Sequence, residues 1–359
     1  MPLNILISSL PLPATKVGSW TNRIGEFQKQ TNFFDHILSP TENPDSTFIF
    51  CQKRDLNPIQ KLSGNRSEKV GTDYFLELLK LGAGKNPLKI LVVDDRSLLE
   101  AIALRKEELP KGTELYYSHH GHQLGAPPHI FDLVDKVFFL TELGYQKTLE
   151  VNYQFTPEVF VIGNGVVGDG FKPISQEEKN ERRKEFGWTN DDIVITWLAN
   201  ARPVKGLHLF KKVVANLLEK YSNLKVLSIG HKPQSDLNSS NWVQVGQVSN
   251  SDLPKYLQLG DAYFFTSVWQ EGFGLSLAEA VKCGNIPITS PLGGITEVLS
   301  EVPHKIYVQR PNIVEDWVNA FEEYLNLRNS PEFISQEFDF GSWQSYDKWE
   351  QRFLNALKS

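Results

Sequence analysis

Two carboxylates and a glycine-lined turn carry most of the chemistry this sequence can perform. The segment Thr266-Ser-Val-Trp-Gln-Glu-Gly-Phe-Gly-Leu-Ser-Leu-Ala-Glu-Ala places Glu271 ahead of Gly272 and Gly274. Glu279 follows one to two turns into a helix expected to begin near Leu275. Glycines at a strand-to-helix turn let backbone N–H groups approach a ligand at the positive end of the helix dipole. That geometry suits a phosphate, and the two carboxylates can accept hydrogen bonds from hydroxyls. A phosphate cradle beside hydroxyl acceptors describes a nucleotide-sugar site. A plain helix start, with Glu271 as a first-turn charge and Glu279 solvated, fits the same letters, and spacing alone leaves both open.

A second cluster, Asn200-Ala-Arg-Pro-Val-Lys-Gly, follows an expected strand at 193–198. Arg202 offers a planar fork and Lys205 a point charge, a pair able to neutralise a diphosphate. Two surface cations in a loop are the alternative. In the first half, Tyr117-Ser-His-His-Gly-His-Gln and His129 raise the thought of a metal, but no cysteine or patterned carboxylate accompanies them. One of these imidazoles can instead meet a sugar hydroxyl. Asp94-Asp95-Arg96-Ser97 reads more simply as a helix cap than as a divalent-ion site.

The elements that must position these groups alternate. Apolar runs at 4–8, 47–51, 89–93, 115–118, 136–140 and 159–162 read as buried strands, with helical patterns at 73–81 and 97–106. The polar stretch 163–192 reads as an interdomain connection. A second series follows: strands at 193–198, 225–229, 243–245, 262–266 and 286–289, and helices at 206–221, 252–259, 275–283 and 313–327. Trp343, Tyr346, Trp349, Phe353 and Leu354 recur at helical spacing in a final docking helix over 340–358. Alternation of this kind predicts parallel sheets covered by helices, and two such domains predict a ligand cleft at the carboxyl ends of the strands.

A chain of 359 residues has room for two cores, and 40% hydrophobic with 11% aromatic residues excludes a largely disordered protein. The net charge of -6 divides evenly about residue 171, so neither half is a basic nucleic-acid platform. Two cysteines, Cys51 and Cys283, cannot frame a disulfide scaffold and point to a reducing compartment. No leader-like N-terminus or membrane-length apolar run is visible, so the expected location is cytoplasmic.

Taken together, these motifs resemble the retaining glycosyltransferases of family 4. Glu271-Gly-Phe-Gly-Leu through Glu279 is similar to that family's Glu-x7-Glu signature, and Cys283-Gly-Asn-Ile-Pro-Ile and Gly293-Gly-Ile-Thr-Glu297 also match its pattern. Arg202-Pro-Val-Lys205-Gly206 resembles its phosphate-binding segment, and Val161-Ile-Gly-Asn164-Gly165-Val166 its interdomain signature. The resemblance implies an α/β GT-B fold of two Rossmann-like domains facing across a cleft. Residues 1–170 would form the acceptor-side domain and 171–338 the nucleotide-sugar domain, while 339–359 would be a helix returning to the first.

By the same resemblance, Arg202 and Lys205 would bind the donor diphosphate and Glu279 the ribose hydroxyls. Glu271 would meet the sugar hydroxyls, with Gly272, Phe273, Gly274 and Leu275 lining the loop. Gly246, Gln247 and Val248 would line the base pocket, and Gly18 belongs to the donor set. His120 would lie near the transferred sugar, with His119 and His122 as alternatives for that place. The family's first loop usually carries a glycine pair; here Lys16-Val-Gly18-Ser-Trp20 keeps one and adds an indole.

The implied reaction is retaining transfer of a hexosyl group from a UDP- or GDP-linked sugar to a hydroxyl of a glycan, lipid or small molecule. No cofactor, metal or nucleic acid is expected, and peripheral contact with the inner membrane face stays open. A sugar-nucleotide epimerase or hydrolase on this fold, or a non-catalytic scaffold, is the alternative.

Overall fold

The computed structural model describes residues 2–13, 19–56, 69–234, 239–331 and 338–359. They form two all-parallel sheets. In the first, β1 (Leu3–Ser8), β2 (His36–Ser39), β3 (Phe48–Phe50), β4 (Leu88–Val93), β5 (Glu114–Ser118), β6 (Lys136–Phe139) and β7 (Glu158–Val161) lie in the order β3-β2-β1-β4-β5-β6-β7. In the second, β8 (Ile193–Leu198), β9 (Leu224–Ile229), β10 (Trp242–Gly246), β11 (Ala262–Phe265), β12 (Ile286–Thr289) and β13 (Ile306–Tyr307) lie in the order β10-β9-β8-β11-β12-β13. Strands such as Ile-Leu-Val-Val and Ile-Val-Ile-Thr-Trp-Leu are apolar on both faces because helices cover both sides.

The chain divides into two compact units, Met1–Gly163 with Glu350–Ser359, and Asn164–Trp349. The expected segments ended instead at 170 and 338, whereas 339–349 packs with the second unit. The first core gathers Ile5, Ile7, Ile90, Val92, Leu115 and Val137 with Leu98, Leu99 and Ile102 of the helix Arg96–Ala103. In the second, Ile195, Trp197, Phe264 and Ile288 meet Phe210, Val213, Val214 and Leu217 of the helix Leu207–Lys220 and Trp317 and Phe321 of Val314–Arg328.

Three expectations need correction. The loop expected around Trp20 is already helical, since the helix Ser19–Thr31 begins there and buries Arg23, Ile24 and Phe27. Strand β2 went unread because four residues beginning with His36 and ending before Pro40 give little alternation to detect. The polar stretch after Gly163 is more than a connection. Its helix, Gln176–Lys184, docks through charge: Arg183 Nη2 lies 2.8 Å and Lys179 Nζ 2.7 Å from the Asp261 carboxylate, while Arg183 also donates to the Leu259 carbonyl. Attraction to Lys179 and Arg183 outweighs the effect of burial and holds the Asp261 pKa below its ordinary value.

The final helix, Tyr346–Lys358, starts later than its pattern suggested. Its Phe353 ring meets Phe27 at 4.9 Å and Phe138 at 5.9 Å, so the last residues of the chain complete the first core. Lys136 anchors the end of this helix with its ammonium, 2.8 Å from Ser359 Oγ.

Candidate functional site

In the second sheet the strand order reverses between β8 and β11, and loops leaving the carboxyl ends on either side of such a reversal form the usual ligand crevice of open α/β sheets. The loop after β8 carries Arg202 and Lys205; the loop after β11 carries Glu271. Hydrogen bonds stitch these loops together. Val268 N–H donates to Val204 O at 3.0 Å, and Ser267 Oγ lies 3.2 Å from the same carbonyl oxygen. The loop after β12 joins them through Gly294 N–H to Glu271 O at 2.8 Å and Ser290 Oγ to Ser267 O at 3.1 Å.

Glycine is required at two of these crossings. A Cβ on Gly206 (φ +73) would sit 1.9 Å from Thr266 O, and one on Gly293 (φ +68) 2.2 Å from Glu271 O. Backbone meets backbone there, so no side chain can swing aside.

Within this frame Lys205 Nζ lies 2.7 Å from Glu271 Oε1, and Ser267 Oγ donates to the same oxygen at 2.6 Å. Both charged side chains are mostly buried. The carboxylate is thereby fixed with one oxygen engaged. The helix Leu275–Lys282 starts at Gly274 in the left-handed region, without a side-chain cap, which leaves its first-turn N–H groups to other acceptors. At its far end Lys282 donates to the carbonyls of Phe340, Gly341 and Trp343 at 2.6, 3.1 and 2.8 Å, which ties the helix down.

Glu279 sits inside this helix, buried, and its carboxyl has no hydrogen-bond partner among the described residues. Burial alone pushes its pKa up to about 8. A buried carboxyl without a partner is a costly feature unless a ligand supplies one. Near it, Tyr263 OH bridges Leu198 O and Ser276 Oγ at 3.0 and 3.1 Å.

The other expected residues are placed less centrally. Arg202 is exposed and its Nε donates to Asn200 Oδ1 at 3.2 Å, not to the Lys205–Glu271 pair. Gly246 ends β10 at the sheet edge with φ +81, and its carbonyl accepts from Gly230 N–H at 2.6 Å. Gln247 is exposed and Val248 half-buried; Gly272 and Phe273 are buried and Leu275 half-buried. Gly18 lies outside the described residues.

Beside β10, Trp242 Nε1–H donates to Ser228 Oγ, which in turn donates to His231 Nε2, while His231 Nδ1–H donates to Lys232 O. That chain fixes a neutral tautomer. Motif reading did not identify Ser267, Tyr263 or Ser228. Ser267 alone carried a signal, standing just past a strand end and four residues before Glu271.

In the first unit, the neighbouring ends of β4 and β5 carry Asp94 and His120. His120 N–H donates to Asp94 Oδ1 at 3.0 Å, its Nε2 lies 3.0 Å from Ser118 Oγ, and its ring meets Trp20 edge-on at 5.5 Å. Loss of solvent, then the charge of Arg23 and the neighbouring His119, hold its pKa well below the ordinary histidine value. His119 is a core residue, stacked on Tyr117 and edge-on to Phe139, with its pKa lowered to about 4 by burial. It is therefore poorly placed to serve as a ligand. Asp95 is a helix cap, accepting from Leu98 N–H at 3.1 Å and pairing with Lys53 at 2.9 Å. Asp94 is not; it adopts φ 51 at the strand end.

Residues 178–337 match the family described as glycosyl transferases group 1. A phosphatidylinositol N-acetylglucosaminyltransferase GPI3 subunit from Saccharomyces cerevisiae is 26% identical over 224 residues, covering 60% of this chain and 48% of that protein. A glycosyltransferase from Methanocaldococcus jannaschii of uncharacterised role is 26% identical over 215 residues, 54% of this chain and 53% of its own. The chain thus spans about half the length of these curated relatives.

Solved structures of the same fold include a glycosyltransferase from Rickettsia africae (TM-score 0.75, 14% identity, covering 99% of this chain and 98% of that one). Another is Anabaena HepE in complex with UDP and glucose (TM-score 0.70, 13% identity, all of both chains). The GT-B architecture thus runs through the whole chain, and the match to the glycosyl transferases group 1 falls on the unit that holds Lys205, Glu271 and Glu279.

Proposed function

We propose that this protein is a retaining glycosyltransferase of family 4 that uses a nucleoside-diphosphate sugar, UDP-linked before GDP-linked, to glycosylate an acceptor hydroxyl. The observation that carries this reading is the pairing of two differently prepared carboxylates at the strand-order reversal. Glu271 is fixed by Lys205 and Ser267, whereas Glu279 is buried without a partner. Ribose hydroxyls donating to Glu279 would satisfy it. Lys205, Arg202 and the uncapped helix at Leu275 would meet the diphosphate, and Glu271 would use its second oxygen on a sugar hydroxyl.

A carboxylate already held by an ammonium and a hydroxyl makes a poor nucleophile. Front-face departure of the phosphate, whose own oxygen takes the acceptor proton, is the mechanism in keeping with that. Catalysis is then positioning plus charge stabilisation. The HepE structure with UDP and glucose supports the choice of base, and the yeast relative's name favours a lipid-linked acceptor over a free sugar. No helix among the described residues is long and apolar enough to cross a membrane. We infer a cytoplasmic enzyme that meets such an acceptor at the membrane surface.

A thermal-shift panel of UDP, GDP and ADP and their sugars tests the donor, since a bound ligand raises the melting temperature by mass action. A UDP series that shifts nothing overturns the donor assignment. Proton NMR of the first product then reads the anomeric configuration; inversion overturns the retaining mechanism. With the diphosphate met by fixed cations, turnover is expected to survive a chelator within a few-fold.

A further inference from the structure

Most of the tryptophans of this chain are hidden. Trp188, Trp197, Trp242, Trp317, Trp343 and Trp349 are buried, and Trp20 is half-covered in the first turn of its helix. Trp269 leaves 58% of its surface to solvent, and it does so in the loop that holds Glu271. Among the described residues no ring or cation stacks on it.

The backbone beneath it is not loose. Val268 N–H is bound to Val204 O, Glu271 O is bound by Gly294 N–H, and Trp269 N–H donates to Ser267 Oγ at 3.4 Å. That hydroxyl is the one that holds the Glu271 carboxylate at 2.6 Å. One serine thus sets both the indole-bearing backbone and the hydroxyl acceptor. The backbone part of the cost of presenting the indole is thereby met before any ligand arrives. A pyranose ring has polar edges and an apolar C–H face, and a tryptophan beside a carboxylate can take both.

The geometry points to Trp269 as the platform for the donor's pyranose ring, and so as the residue that distinguishes a nucleotide sugar from the bare nucleotide. This rests on the reading of the β8–β11 edge as the donor site. It adds a discriminating contact that neither the phosphate nor the ribose contacts can supply, because those are common to both ligands.

Iodide quenching of tryptophan fluorescence tests the assignment, because one indole stands out by exposure. The wild-type chain should show an accessible component that Trp269→Phe removes. A nucleotide sugar, such as UDP-glucose or UDP-N-acetylglucosamine, should protect that component while UDP leaves it open, with GDP- and ADP-linked pairs run alongside. Calorimetry should find that Trp269→Ala weakens the sugar-linked ligand about five- to tenfold, leaves the nucleoside diphosphate within twofold, and is largely restored by Trp269→Phe. Nucleotide-sugar binding without iodide protection, or an equal loss for both ligands, overturns the proposal and leaves the donor site standing. If no nucleotide of any series binds the wild-type chain, the donor reading fails and the platform fails with it. Should Trp269→Ala not fold, the Phe variant and the wild-type protection experiment decide alone.

Discussion

The carboxyl edges of the two sheets use the same strand-loop-helix grammar but are held differently. In the second unit, backbone-to-backbone and hydroxyl-to-backbone bonds join three successive loops, and the charged side chains sit on that frame. In the first unit backbone bonds such as Asp94 N–H to Ser118 O and His119 N–H to Phe138 O tie the strand ends, but the groups beyond them are held by side chains: His120 leans on Ser118, Asp94 and Trp20, and His119 fills the core beneath. A frame of backbone bonds leaves few soft torsions between its parts, whereas a side-chain frame can adjust by changing rotamers. Under the proposed function the rigid edge would meet the donor's diphosphate and ribose.

The largest expected effect breaks the rigid frame itself. Gly206→Ala drives a Cβ into the Thr266 carbonyl and strains the left-handed backbone, so a loss on the order of 3 kcal/mol or more is expected by denaturant unfolding. The matching change in the first unit, Gly121→Ala, meets only the His119 ring at 2.8 Å and should cost about 1 kcal/mol. Equal losses would erase the distinction between the two edges.

Next come charges on an intact frame. Lys205→Ala and Glu279→Gln should each lower kcat/KM by about 30- to 1,000-fold, the cost on the order of 2–4 kcal/mol of removing one preorganised polar contact. Arg202→Ala, at an exposed guanidinium, should lose about tenfold or less. Near wild-type turnover in both of the first two variants would mean that the rigid edge is not where the donor binds.

The pH dependence of stability sharpens the same contrast. Glu279 keeps its proton in the folded chain up to about pH 8, but an unfolded glutamate releases it near 4.5. Folding therefore takes up a proton between those values, and this group's contribution to stability falls as pH rises from about 5 to 8, then levels off. Glu279→Gln should flatten that slope and raise the melting temperature near pH 8. A ligand that needs the carboxylate ionised should release a proton and bind more tightly as pH approaches 8. Calorimetry in buffers of different ionisation enthalpy reads that proton directly.

The smallest effect belongs to the adjustable edge. His120 stays neutral through the physiological range because loss of solvent and the Arg23 charge depress its pKa, so its protonation should leave no inflection in the pH-rate profile between about 6 and 8. His120→Gln should reduce turnover about tenfold without altering nucleoside-diphosphate affinity. A matching loss of nucleotide affinity would assign His120 to the wrong ligand.

Much of this was legible in the residues. Runs such as Leu3–Ser8 and Ile193–Leu198 announce buried parallel strands because both faces must be apolar, and Glu271, Glu279 and Lys205 stand out by spacing around glycines. What escaped is what depends on partners distant in sequence. Ser267 acquires its role only when β8 brings Lys205 beside it. The charged helix Gln176–Lys184 looked like a linker until Asp261, from another part of the chain, supplied its counter-charge. His119 and His120 are adjacent letters with opposite surroundings, one among aromatic rings and the other at the strand edge, because successive residues point to opposite sides.

The return of Glu350–Ser359 to the first unit has a consequence for biosynthesis. A ribosome finishes the sheet of that unit early, yet the helix turn that covers Phe27 and Phe138 is made only after all of the second unit. At about 5–20 residues per second the wait is roughly 10–40 s. Throughout it the nascent chain carries an uncovered aromatic seam and a lysine, Lys136, whose partner Ser359 does not yet exist. The first unit is thus completed only after the second has been made, and a nascent chain released before Glu350 would carry both sheets with the older one still open.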